Sequence, residues 1–295
     1  MNWTFELVYG ALGRPIVGLA WDGEAMLFSD SAESVILRYD RRNNSVTPER
    51  KYTNRTNGIA FGRDGVLYGC QEGSRRIVRF MPDGSATIAA TRIDGRVHNM
   101  PYLLTLDRQG RVWFSDPDRS ASTSVVQRFP PLDHQSVLRL ACSAAPRMHW
   151  HIERMTFDTR APRGVALSPD GKTLYVAESD NRPGGVRELR AYPISDDGTL
   201  GSPIVLHTFG FDYRGLHRGV EGMCVDIEGN IIACAGWQRS GPGPLIYVFS
   251  PTGAVLETHG VPAGLPLNCA FGDDGLTSLY VSTAEGHLFR VRTGK

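Results

Sequence analysis

Short apolar stretches separated by polar turns run the length of this chain, and within them large aliphatic or aromatic residues alternate with smaller or polar ones. That period of two marks β-strands, whose successive side chains point to opposite faces. Six times the stretches come as a pair joined by a turn built on Asp-Gly or a close relative. From the first strand of each pair they read GLAWDGEAMLFSD (from Gly18), GIAFGRDGVLYGC (Gly58), LLTLDRQGRVWFSD (Leu103), GVALSPDGKTLYVAESD (Gly164), GMCVDIEGNIIAC (Gly222) and CAFGDDGLTSLYVS (Cys269). A third strand pattern follows each pair: SVILRYD (from Ser34), RRIVRF (Arg75), SVLRLA (Ser136), VRELRAYPI (Val186), PLIYVFS (Pro244) and HLFRVR (His287). A fourth is visible in some units, as ATIAAT from Ala86, PIVLHTF from Pro203 and AVLETHG from Ala254. No long helical period interrupts the series.

Four short antiparallel strands recurring every ~40 to 50 residues make the blade of a β-propeller. Six units predict an all-β, six-bladed β-propeller with four-stranded antiparallel blades, residues 1–295 forming one domain. The N-terminal stretch FELVYG, from Phe5, has no inner pair of its own. It is expected to supply the outer strand of the last blade and close the ring. A radial fold brings the same position of every repeat to one axis. The residues just before each pair are therefore candidates for a shared site: Val17, Asn57, Tyr102, Arg163, Glu221 and Asn268.

Two loop-like stretches break the rhythm, Asp118–Gln135 and Gly210–Val220. If the chain enters each innermost strand at the top, the Asp-Gly turns lie at the bottom and both loops lie on the face of the six axial positions. Long loops on such a face are candidates for function.

Composition narrows the function classes. The 295 residues carry 32 basic and 31 acidic side chains, for a net charge of +1. That balance gives no support for a nucleic-acid or membrane surface. No apolar run is long enough to span a bilayer, and MNWTFELVYG lacks the pattern of a signal peptide, so a cytoplasmic protein is expected. The five cysteines, Cys70, Cys142, Cys224, Cys234 and Cys269, fit no zinc spacing and are expected to be buried, reduced thiols. Cys224 and Cys234 flank one turn and are expected on paired strands. Nucleophile-elbow, phosphate-loop, Cys-x-x-Cys and His-Glu-x-x-His motifs are absent from the sequence. His149 and His151 alternate on what reads as the outermost strand of blade 3, a surface position far from the axis. His98 and Asn99 before Tyr102, His134 in the blade 3 loop and His217 in the loop before blade 5 are better placed. The second strands end in Asp30, Glu72, Asp116, Glu178 and Trp237, also at the top; carboxylates there more often cap loops than do chemistry.

Several of these stretches carry a family resemblance. TNGIAFGRDGVLYGCQEGSRRIVRF with MPDGS after it, APRGVALSPDGKTLYVAESD, VEGMCVDIEGNIIACAG and LNCAFGDDGLTSLYVS resemble the gluconolactonase / senescence-marker-protein / luciferin-regenerating-enzyme family, the regucalcin-like propellers. The resemblance covers essentially the whole chain. It implies a six-bladed propeller, and most such proteins are lactone or ester hydrolases with one divalent cation, such as calcium, on the axis. The family holds that cation with an acidic residue before the first inner strand, Asn before the third, Asn before the fourth and Asp before the fifth. Here those positions are Val17, Tyr102, Arg163 and Glu221. Only Glu221 keeps the ligand type. Sliding the blade 3 match to reach Asn99 would sacrifice the agreement at Pro101.

A hard cation needs several oxygen donors. Val17 offers none, and Arg163 brings a fixed positive charge that repels a second cation. The expectation is therefore a metal-independent enzyme with no cofactor. Arg163 and Glu221, from adjacent blades, should pair. Glu221 would be the general acid or base, Arg163 would meet a carboxylate or developing oxyanion, and Tyr102 would donate a hydrogen bond or proton. Asn57, Glu72, His98, Asn99, His217, Trp237 and Asn268 are candidate substrate contacts. The expected partner is a small carbonyl-containing molecule. Lactone or ester hydrolysis leads, with lyase, isomerase or cyclase chemistry also open. Two rivals remain: a divalent-metal lactonase with an atypical site of Glu221, Asn57, Asn99, Asn268 and water, and a non-catalytic small-molecule-binding propeller.

Overall fold

The computed structural model describes residues 3–118, 130–143 and 149–293. It contains six four-stranded antiparallel sheets arranged as the blades of a propeller. Blade 1 runs through Leu19–Trp21, Met26–Asp30, Val35–Asp40 and Ser45–Lys51. Blades 2 to 5 repeat the order from inner strands at Thr56–Phe61, Leu104–Leu106, Pro162–Leu167 and Val220–Val225. In blade 6, three strands from Pro266–Gly272 to Leu288–Arg292 are completed by Glu6–Tyr9. Glu6 pairs with Arg290, Leu7 with Phe289 and Tyr9 with Leu288, so the N-terminal strand closes the ring as expected. Phe5 adds an edge-on ring contact to Phe289.

Every blade has a fourth strand, including blade 1, where no clear apolar alternation marks one. Ser45–Lys51 (SVTPERK) is a half-exposed edge with a proline and three charged residues. Such residues protect an outer edge from unwanted pairing, and the same residues erase the apolar alternation by which strands are recognised. Two short ribbons sit between blades, Arg92–Ile93 with Arg96–Val97 and Phe211–Asp212 with Gly215–Leu216.

The period of two is turned into blade-to-blade packing. On the second strand of blade 5, Ile231, Ala233 and Ala235 face blade 4 and pack with Tyr175, Ala177 and Leu189. The intervening Ile232 and Cys234 face blade 6 and pack with Cys269, Leu279 and Val281. Each neighbouring pair of blades shares a cluster built in this way. Both faces of every sheet are therefore buried, which is why both strand registers read apolar.

Near the axis the inner strands approach more closely than side chains allow. A Cβ at Gly18 would lie 2.3 Å from the Asn57 carbonyl oxygen, and one at Gly58 would lie 2.7 Å from that of Tyr102. Gly58 donates its N–H to the Tyr102 oxygen at 2.8 Å. The glycine that follows these axial residues is thus the condition for the ring to close around a narrow channel.

Candidate active site

A seventh cluster lies on the axis itself. Val17 and Tyr102 pack there with Leu103, Leu265 and Leu267, and Trp237 leans on the group. Tyr102 is 2 % exposed. Arg163 holds its guanidinium carbon 5.7 Å from the Tyr102 ring centre. Its Nη1 donates to Glu221 Oε2 at 2.7 Å. The two residues precede the inner strands of adjacent blades, and the fold brings them together.

The other carboxylate oxygen, Glu221 Oε1, accepts from Arg218 Nε at 2.9 Å. Glu221 is completely buried, while the Arg163 and Arg218 side chains keep 22 % and 24 % exposure. The guanidiniums thus cover the carboxylate. Burial works against the Arg163 charge, but Glu221 and Tyr102 outweigh it and hold its pKa above the ordinary arginine value. Arg218 also lies 5.6 Å from the Trp237 ring centre, and Arg239 lies 5.3 Å from it. Sequence reasoning missed Arg218. The available signal was its place in the Gly210–Val220 loop, three residues before an axial acid; His217 was singled out there instead. The His217 ring packs against Gly241 and lies 3.5 Å from Asp212 Oδ2.

The remaining candidates fall into different settings. Asn57 points its Nδ2 at Glu72 Oε2, 3.1 Å away, and Arg55 Nε reaches Glu72 Oε1 at 3.2 Å. Asn268 is 8 % exposed and lies against Gly222. His98 is fully buried, its Nδ1 3.3 Å from Asp116 Oδ1 and its ring edge-on to Phe114. Asn99 is occupied by backbone: Nδ2 donates to the Asp116 and His134 carbonyls, and Oδ1 accepts from the Leu132 N–H. Its own N–H is bound by Asp116 Oδ2 at 2.6 Å. Asn99 is therefore tied into the wall between blades 2 and 3, whereas His98 Nε2 is buried without a hydrogen-bond partner among the described residues.

The acids ending the second strands follow one pattern. Each receives donors from the segment that leads into the first strand of its own blade. Asp30 takes Arg14, Glu72 takes Arg55 and Asn57, and Asp116 takes the Asn99 N–H. Glu178 takes the N–H groups of Arg160 and Ala161 at 3.0 and 2.7 Å. Burial pushes the Glu178 carboxyl up to about 6 despite those two bonds. This clasp fixes the segment that carries Arg163.

His134 lies in a separate flank cleft of about 570 Å³ with Arg96, Glu153, Arg154 and Phe157. His149 is exposed and His151 faces Glu153 on the outermost strand of blade 3. Of the Asp118–Gln135 loop, residues 119–129 lie outside the described residues. Below the charged ring lies a space of about 260 Å³, lined by the inner strands at Leu19, Ile59, Leu103, Val165, Met223, Asn268 and Cys269 among others. Cys224 and Cys269 line it too, their sulfurs 3.6 Å apart. All five cysteines are free.

The donor set at the four positions where the resemblance places a cation is an alkyl group, a phenol beside a guanidinium, a guanidinium, and a carboxylate bound by two guanidiniums. These residues do not fit a hard divalent cation, which takes six or more oxygens.

Residues 104–285 match the SMP-30/Gluconolactonase/LRE-like region profile. A gluconolactonase of Zymomonas mobilis is 30 % identical over 242 residues, covering 81 % of this chain and 63 % of that protein. A 6-deoxy-6-sulfogluconolactonase of Pseudomonas putida is 28 % identical over 130 residues, covering 44 % of this chain and 40 % of that protein. The match thus spans less than two thirds of the length of either relative. A solved gluconolactonase structure from Xanthomonas campestris superposes with a TM-score of 0.80 at 28 % identity, over 98 % of this chain and 89 % of that one.

Proposed function

The chain belongs to the SMP-30/Gluconolactonase/LRE-like family, and from that premise we propose that it hydrolyses a sugar-acid lactone with an arginine–glutamate pair where relatives hold a cation. The observation that carries this reading is the 2.7 Å contact of Arg163 Nη1 with Glu221 Oε2 on the propeller axis, beside Tyr102. Relatives named as lactonases of gluconate and of a sulfonated deoxygluconate support the substrate class.

The chemistry assigns one role to each group. Water adds to the lactone carbonyl carbon, and negative charge gathers on the carbonyl oxygen. Arg163, partly exposed into the channel, is the donor for that oxygen. Glu221 takes the proton that the attacking water loses. A carboxylate accepts in up to four directions, so contact with two guanidiniums is compatible with that step. The ring C–O bond then breaks, Glu221 passes that proton to the departing oxygen, and Tyr102 supplies a hydrogen bond beside it. The product is an open hydroxy acid. Fold likeness alone does not choose this reaction; the paired, buried charges on the axis support it.

The test is acid release from D-glucono-1,5-lactone above the spontaneous rate, at constant pH. Turnover that disappears in Glu221→Gln, with the melting temperature retained, supports the reading. Equal turnover in the folded variant would remove Glu221 from the mechanism.

A further inference from the structure

The charge at the channel mouth exceeds what water and a neutral ring require. Among the described residues, Glu221 is met by two guanidiniums. Arg218 uses only Nε for that contact, and its Nη1 and Nη2 meet no acceptor among the described residues. Those two nitrogens form the free edge of the fork, on a side chain that is 24 % exposed. A planar fork of this kind suits an oxyanion bound in bidentate fashion. Arg239 stands over the same Trp237 indole, exposed and with no carboxylate partner among the described residues. Glu285 of blade 6 lies with its Oε1 against Gly264, its Oε2 is buried without a hydrogen-bond partner, and no ion pair joins it to either arginine among the described residues. Three guanidiniums thus cluster around one buried carboxylate and one indole.

We propose that Arg218, with Arg239 on the far side of Trp237, forms a subsite for an oxyanion group carried by the substrate in addition to its lactone ring. This rests on the lactonase reading for the ring chemistry: Arg163 serves the carbonyl and Arg218 the substituent. The substrate class is an anionic sugar lactone whose carboxylate or phosphate stands away from the ring carbonyl. Trp237 carries both guanidiniums over its ring and so fixes where the two charges stand.

The experiment compares kcat/KM for neutral D-glucono-1,5-lactone, its 6-phosphate and the carboxylate-bearing D-glucaro-1,4-lactone, with wild type, Arg218→Gln and Arg239→Gln. At least one anionic lactone should exceed the neutral one by about tenfold or more, the scale of one charge-assisted hydrogen bond. The preference should shrink with added salt. Arg218→Gln should lower the anionic-to-neutral ratio about tenfold, and Arg239→Gln, on an exposed hairpin, about two- to threefold. A ratio at or below one for both anionic lactones in wild type, or a ratio unchanged by Arg218→Gln, overturns the subsite. Should no lactone be hydrolysed, the lactonase reading fails, and calorimetry decides the subsite separately. Tighter binding of 6-phosphogluconate or glucarate than of gluconate, lost in Arg218→Gln, upholds it; equal binding removes it.

Discussion

The segment leading into blade 3 and the segments leading into blades 4 and 5 occupy equivalent places around the axis, yet they are put to opposite uses. Before blade 3, His98 and Asn99 are buried and their partners are Asp116 and backbone groups of the 130–134 segment. Before blades 4 and 5, Arg163 and Arg218 bond to a side chain, Glu221, and each keeps an exposed edge. Polar groups whose partners are backbone hold a loop in place. Polar groups whose partners are charged side chains, with one edge open to the channel, can exchange those partners for a substrate. The distinction lies in what each residue bonds, and residue type alone does not reveal it.

The largest effect that would sharpen this contrast is on turnover. Glu221→Gln should lower kcat by about a hundredfold or more, the scale of general base catalysis, with the fold intact by circular dichroism. Next, Arg163→Lys should lower kcat by roughly a hundredfold, because lysine keeps the charge but loses the fork that meets both Glu221 and a developing oxyanion. If the pair merely plugs the channel, both variants will lose stability and keep their activity per folded molecule.

Asn99→Ala tests the other side of the comparison. It leaves several buried backbone groups without partners and should cost about 2–3 kcal/mol of stability. Turnover per folded molecule should change less than in either axial variant. A large loss of kcat at unchanged melting temperature would place Asn99 in the site and erase the contrast.

The smallest effect is a pH dependence at Glu178. Its folded pKa of about 6 lies above the ordinary 4.5, with burial as the cause. A carboxyl with a raised folded pKa contributes stability below the lower value and loses it as pH rises through the upper one. Wild type should therefore lose about 1 kcal/mol from this group between pH 4.5 and 6, out of about 2 kcal/mol over the whole titration. Glu178→Gln should abolish that slope while weakening one of the two backbone clasps. Urea midpoints from pH 4.5 to 7.5 for both proteins read it directly, and an identical slope in the two would contradict the assignment.

The blades were legible because propeller geometry repeats. Each second strand faces two neighbours, so its apolar residues recur at every position and its turn recurs at Asp-Gly. The fourth strand of blade 1 was not legible, because an outer edge is polar and its pairing is set by backbone bonds to Val35–Asp40. On the axis, the meeting of Arg163 with Glu221 followed from the repeat register alone. Arg218 was hidden because its loop has no periodicity, and only the fold shows that residue 218 turns back onto residue 221. His98 and Asn99 were singled out because they precede an axial position, and the strand-end Asp116 that binds them was not legible as their partner because it lies in another part of the sequence.

The central claim is that arginine supplies on this axis the charge that the family resemblance assigns to a cation. Lactone hydrolysis by protein dialysed against a strong chelator tests it most directly. The account predicts the same rate before and after dialysis and no gain on adding calcium, zinc or manganese. A rate that falls to the spontaneous background after dialysis and returns with one of those ions would contradict it.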